Sequence, residues 1–317
     1  MRKVIGIGET ILDIIFRREQ PVAAVPGGST FNAMVSLGRC GVKTSLISET
    51  GNDRVGRHII AFLKDNGVDA GGVSVFAESK SPVSLAFLDE TGDAEYIFYK
   101  DHPHDRLDFT MPDIGEDDIV VFGSFYAVNP VIRSQVKNVL DLAHRRGAVI
   151  YYDVNYRPSH SHEVMKITPN LLENLELADI VRGSTADFGV LYNRSDPERV
   201  YRSDISFYCK NFICTDGARP VSVFAQGGFS KRYDVPTAAT APASTIGAGD
   251  NFNAGMVYGL ICEGITRSMI ADGLTPQQWD ALIGHAQAFA AESCRGTDNY
   301  VSAAFGRRME EVIKDKR

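Results

Sequence analysis

Nowhere in the 317 residues does an apolar run approach the about 18 residues that a membrane-spanning helix needs, and Glu9 and Asp13 interrupt the first apolar stretch, where a signal peptide would lie. Membrane insertion and secretion are both disfavoured. Cysteine is sparse: Cys40, Cys209, Cys214, Cys262 and Cys294 are odd in number and form no CxxC pair, so neither a disulfide framework nor a zinc knuckle is expected, and the chain reads as cytoplasmic. No run of Lys and Arg is present, and 33 basic against 40 acidic residues leave a net charge of −7, which makes nucleic acid a poor partner. The absence of any Gly-Lys dipeptide excludes a Walker A loop; HExxH and GxSxG are missing as well. The seven histidines show no zinc spacing with a third ligand and read as surface or loop residues. Gly6-Ile7-Gly8 opens like a dinucleotide fingerprint, but Ile11 stands where its last glycine would be.

What is there reads as a single globular unit: 44% apolar and 23% charged residues, no internal repeat, and no Pro-, Gly- or Ser-rich linker. Strand-like and helix-like segments alternate, which predicts an α/β fold with a mostly parallel sheet between helix layers. Expected strands run over Val4 to Gly8, Lys43 to Ser48, Asp118 to Gly123, Ala148 to Asp153, Ile180 to Arg182, Phe212 to Thr215 and Val221 to Ala225. Expected helices run over Phe31 to Arg39, Val55 to Asn66, Pro130 to Arg146, Asn251 to Cys262 and Pro276 to Glu292. Ile11 to Val25 and Val83 to Lys100 break the alternation as antiparallel pairs, the second turning at Thr91-Gly92-Asp93. They form either a small lid sheet over a cleft or an ordinary edge extension.

Two glycine motifs can carry chemistry. In Ser244-Thr245-Ile246-Gly247-Ala248-Gly249-Asp250 the glycines turn the chain tightly into a helix, so that amide N–H groups and the positive helix end converge on an anion; Asp250 is then placed to take a proton from an attacking hydroxyl. Gly249 as a turn residue and Asp250 as a plain N-cap is the alternative. In Gly27-Gly28-Ser29-Thr30-Phe31-Asn32 the paired glycines allow close backbone approach, and Asn32 offers a donor and an acceptor suited to a sugar hydroxyl, or merely faces solvent from a helix.

These motifs, in this order and separation, resemble those of the ribokinase-like carbohydrate kinases, also called the phosphofructokinase B family, over roughly residues 3 to 305. The resemblance implies a three-layer α/β/α sandwich with a small β lid drawn from about residues 11–25 and 83–100. It implies phosphoryl transfer from magnesium-ATP to a sugar hydroxyl, with Asp250 as base and the backbone of Gly247, Ala248 and Gly249 holding the phosphoryl charge. Asp13, Gly28 and Asn32 would hold the sugar, and Asp153-Val154-Asn155-Tyr156-Arg157 resembles the Asp-x-Asn-x-Arg stretch of the fructokinase and 2-keto-3-deoxygluconate kinase branches, with Arg157 facing substrate. On the ATP side it implies Thr215, Gly217, Thr245 and Gln287.

The chain also departs from the family pattern. Ser184 and Asp187 stand where Asn-x-x-Glu organises magnesium through water, and Ser184 and Asp187 are assigned that role here. Ser244 replaces an Asp that often serves a monovalent cation, which argues against such a site. The stretch Glu95 to Lys100 resembles a fructokinase lid; Phe98 and Lys100 would touch substrate, and Lys100 in place of Arg favours neutral fructose over 2-keto-3-deoxygluconate, with ribose or a nucleoside as further acceptors. A non-catalytic sugar- or nucleotide-binding protein on the same fold is the competing class, and a homodimer joined through lid strands would hide their edges.

Overall fold

The central strands are buried on both faces, and their alternation sorts side chains between two cores. Val4, Val121 and Tyr151 enter one core, whereas Ile5, Ile7, Val120, Phe122, Ile150 and Tyr152 enter the other. That is why these segments read as near-continuous apolar runs. The computed structural model describes residues 2–89, 94–100, 107–236 and 242–316. In chain order the strands are β1 (Lys3–Ile7), β2 (Ile11–Arg17), β3 (Gln20–Gly27), β4 (Lys43–Gly51), β5 (Val68–Asp69), β6 (Val73–Phe76) and β7 (Val83–Leu88). There follow β8 (Ala94–Tyr99), β9 (Ile119–Gly123), β10 (Val149–Asp153), β11 (Ile180–Ser184), β12 (Phe212–Asp216), β13 (Arg219–Ala225) and β14 (Phe229–Tyr233).

The large sheet has the order β14-β13-β12-β11-β10-β9-β1-β4-β5, with β6 also on β4; it is parallel except at β12–β13 and β13–β14. From β1 the chain moves one way to β4, and from β9 it moves the other way through β10 to β12. The β1/β9 boundary is thus a topological switch point, where an open α/β sheet leaves a crevice beyond the strand ends. Helices Ser29–Arg39, Arg54–Asp65, Ala248–Cys262 and Pro276–Ser293 cover one face; Arg133–Arg146, Val164–Leu177 and Thr185–Tyr192 cover the other. This is the expected α/β/α sandwich.

The second sheet has the order β3-β2-β7-β8: two antiparallel pairs joined by a parallel pairing of β2 with β7. The expected turn at Thr91-Gly92-Asp93 lies outside the described residues. Pro130 does not open a helix: Asn129 Oδ1 accepts the Val131 N–H at 3.0 Å, a local turn that delays the helix to Arg133. The helix Val164–Leu177 lies where no element is expected, with Pro169 inside it. Among the described residues no helix is long and apolar enough to cross a membrane.

Candidate active site

The ends of three adjacent parallel strands carry a polar row, Asp153 on β10, Arg182 on β11 and Thr215 on β12, beneath the first turn of helix Ala248–Cys262. Arg182 donates from Nη1 to Asp153 Oδ1 at 2.9 Å and from Nη2 to Thr215 Oγ1 at 2.6 Å. Asn253, one turn into the helix, donates to Asp153 Oδ2 at 2.8 Å and so ties helix to sheet. Gly247 caps the helix at φ 77°, and a β carbon there would lie 2.5 Å from the Asn299 carbonyl oxygen, so only glycine fits. The Ala248 N–H donates to Thr245 O at 3.2 Å, and the first intrahelical bond runs from Asn251 N–H to Gly247 O at 2.8 Å. Among the three backbone positions implied by the resemblance, Ala248 therefore has its amide engaged. The Gly249 and Asp250 amides precede the first intrahelical bond, at the positive end of the helix.

Asp250 opens onto the same spot. Its Oδ2 accepts the Asn32 Nδ2–H at 2.8 Å, and Ser29 also bonds it. Burial pushes its pKa up, the Asn32 and Ser29 bonds oppose the shift, Asp153 adds to it, and Arg157 pulls it down. Asn32 Oδ1 is buried without a partner, as is Asn299 Oδ1. Asp13 on β2 accepts from Ser84 Oγ, its register partner on β7, and from Asn299 Nδ2 at 3.1 Å. Burial is the chief cause that raises its pKa to about 6, and Glu9 and Asp250 contribute. Gly28 has φ 125°, and a β carbon on it would lie 2.2 Å from the Glu9 carbonyl oxygen. The structure thus brings Asp13, Gly28, Asn32 and Asp250 together, and adds Ser29, Ser84 and Asn299, which sequence reasoning missed.

Lys100 closes the far wall. It forms an ion pair with Glu9, and its ammonium lies 5.1 Å from the Phe98 ring centre. Phe98 stacks on Tyr96 and is the register partner of Ser84 on β7, which in turn pairs with Asp13 on β2. Arg157 is exposed. A cavity of 160 Å³ beside Lys100 is lined by Glu9, Glu49, Phe125 and His160 among others, and the His160 ring stacks on Phe125 at 4.0 Å. His160, in the short turn Pro158–Glu163, thus lines this cavity from a loop position.

The ATP-side residues are more dispersed. Asp187 is buried in a capping box: Oδ2 accepts Ser184 N–H at 2.6 Å and Ser184 Oγ–H at 2.8 Å, while Oδ1 accepts Tyr156 N–H at 2.9 Å. Burial raises its pKa and Arg182 opposes the shift. Gly217 turns β12 into β13 at φ 57°. Gln287 donates to the Asp234 carbonyl at 2.9 Å, and Thr245 lies in the loop before Gly247. Ser244 Oγ accepts the Ile246 N–H at 3.1 Å. Away from this site, Cys262, Glu263 and His285 bring ligand atoms within 4.8 Å of one another, a grouping the histidine spacing did not reveal, but the Lys316 ammonium sits 2.7 Å from Glu263 Oε1.

A family model described as pfkB family carbohydrate kinase matches residues 1–295. A 5-dehydro-2-deoxygluconokinase of Geobacillus kaustophilus is 31% identical over 252 residues, covering 74% of this chain and 72% of that relative. A fructokinase of Rhizobium leguminosarum is 26% identical over 265 residues, covering 81% and 79%. In fold, the crystal structure of a Vibrio cholerae fructokinase with fructose, ADP and calcium superposes with a TM-score of 0.80 at 21% identity, covering 96% of each chain.

Proposed function

The chain belongs to the pfkB family of carbohydrate kinases, and from that premise we propose that it moves the terminal phosphoryl group of ATP to a hydroxyl of a free neutral monosaccharide, fructose first. The observation that carries this reading is Asp250: a half-buried carboxylate held by Asn32 and Ser29 beside the Gly249 and Asp250 amides at a helix N-terminus. A sugar hydroxyl bonded to Asp250 gives up its proton to the carboxylate as its oxygen bonds phosphorus and the ADP oxygen leaves, while the amides take the phosphoryl charge. Gly247 and Ala248 shape that hole by their tight turn. Asp13, Asn299 and the open acceptor of Asn32 match sugar hydroxyls, each of which donates and accepts.

Vibrio cholerae fructokinase binds ADP and a divalent ion, which supports ATP and a divalent cation here. The residues fit an outer-sphere role only: Asp187 has its oxygens engaged by Ser184 and the Tyr156 N–H, so it would act on magnesium through water, the ion's part being to neutralise phosphate charge. Thr215, Thr245, Gly217 and Gln287 would border the nucleotide. The small sheet would act as a lid that keeps water from the phosphoryl group, with Phe98 and Tyr96 over the sugar.

Glu9 supports the choice of a neutral sugar. It answers the charge of Lys100, so that wall offers an acidic sugar no free cation. The second reading, an acceptor such as 5-dehydro-2-deoxygluconate, draws on the Geobacillus relative and on exposed Arg157. Measuring kcat/KM for fructose and for both ketodeoxygluconates separates them; a preference for the acids would favour the second. Exposed Val22, Ile97 and Tyr99 on lid strands β3 and β8, both at sheet edges, support a homodimer joined through the lid. The five free cysteines support the cytoplasm.

A further inference from the structure

Gly249 has no positive φ and sits in an ordinary first helical turn, where alanine would be the better helix former. Arg182 is what a side chain there would press against. A β carbon on Gly249 would lie 3.0 Å from Nη2, 3.3 Å from Nη1 and 3.5 Å from Cζ of that guanidinium. The charged group therefore packs against the amide-bearing end of the helix, with the Phe252 ring 5.8 Å away on its flank. Its side chain is only 8% exposed, yet of its five N–H donors two are used, on Asp153 and Thr215, and Nε is buried without a partner. Desolvating a guanidinium with spare donors is costly unless a ligand recovers them. Asp153 and Asp187 nearby keep it charged. A helix N-terminus and a buried, incompletely bonded cation thus meet at one glycine.

We propose that Arg182 is the cationic wall of the phosphoryl site, its spare donors reaching, past the bare face of Gly249, an oxygen of the phosphoryl group seated on the Gly249 and Asp250 amides. This rests on the kinase reading above and adds a residue that neither glycine motif contains. It gives the second glycine of Gly247-Ala248-Gly249 a reason distinct from that of the first: Gly247 is required by its backbone angle, whereas a side chain on Gly249 would displace the arginine.

The test compares the wild-type protein with Arg182→Lys, Arg182→Gln, Gly249→Ala and the double variant Asp153→Asn/Arg182→Gln, which removes both members of the hydrogen-bonded ion pair, so that Asp153 is not left as a broken half of it if the single variant fails to fold. Turnover is measured together with calorimetric affinities for the sugar and for ADP with aluminium fluoride, a mimic of the transferring phosphoryl group. Losing the guanidinium should lower kcat by about 100-fold or more and weaken the mimic by a similar factor, with sugar affinity changed less than about twofold. Lysine should restore turnover to within about tenfold of wild type, and Gly249→Ala, by pushing the guanidinium aside, should lower turnover in the same sense. A double variant that turns over and binds the mimic like wild type would overturn the proposal. If the wild-type protein phosphorylates no sugar, the kinase reading fails instead, and mimic affinity still decides on Arg182: loss in the double variant upholds it, no change overturns it.

Discussion

Replacing Asp13 by asparagine should stabilise the protein at neutral pH while it loses much of its hold on the sugar. The Asp13 carboxyl titrates at about 6 in the folded chain against 3.8 when exposed. Below the lower value it is neutral in both states; between the two only the unfolded chain ionises; above 6 the folded chain carries a buried charge. Folded stability therefore falls as pH rises through this window and then levels off, by a total of about 3 kcal/mol at about 1.4 kcal/mol per pH unit. Asparagine keeps the shape and has no such pH dependence. Comparing urea unfolding of wild type and Asp13→Asn at about pH 4.5 and about pH 7.5, the stability difference should move by about 2 kcal/mol in favour of the variant on going to the higher pH. Titrating groups that do not sense Asp13 cancel between the two proteins. The ionised form is also the better acceptor for a sugar hydroxyl, so wild-type sugar affinity should fall as pH drops below about 6, and the variant should bind sugar weakly at every pH. Parallel stability curves for the two proteins would refute the buried-carboxylate argument outright.

Asp250→Asn should keep the fold and the sugar site, since an amide still accepts from Asn32, but should lower kcat by about 100-fold or more in a coupled ADP-release assay; near wild-type turnover would remove the base from the mechanism. Asn32→Ala should weaken sugar binding by about 1–3 kcal/mol in calorimetry with ATP affinity unchanged, and equal losses for both ligands would point to misfolding of the site. Potassium should raise initial rates less than about tenfold over tetramethylammonium at equal ionic strength, because Ser244 offers a neutral oxygen that already accepts the Ile246 N–H; a larger rise would mean that carbonyls build a site there.

The layers of the fold are written in the sequence because the central strands face a core on both sides, which leaves runs such as Ile119–Gly123 and Val149–Asp153 apolar almost throughout. The glycine motifs are legible for a related reason: Gly28 and Gly247 hold backbone angles and close approaches that a side chain would not tolerate. Contacts made only in three dimensions are not legible in this way. Asn299 reaches Asp13 across 286 positions, and nothing local in Asp298-Asn299-Tyr300 marks it as a ligand of that carboxylate. Arg182 closes an apolar strand and looks like a residue emerging into solvent, whereas its register partner Asp153 turns it inward. At Pro130 the helix-start preference of proline lost to the Asn129 turn, and at Pro169 packing of Ile167, Leu171 and Leu175 outweighed the helix-breaking residue.

Sugar-phosphate formation from magnesium-ATP and a panel of free sugars, followed by phosphorus NMR for wild type and Asp250→Asn side by side, tests the central claim most directly. The wild-type protein should convert fructose to a single phosphate monoester with one ADP released per product, faster per unit concentration than either ketodeoxygluconate or ribose, and the variant should form the same product at about one-hundredth of the rate or less. ATP consumption without any sugar monoester, or equal product from both proteins, would contradict it.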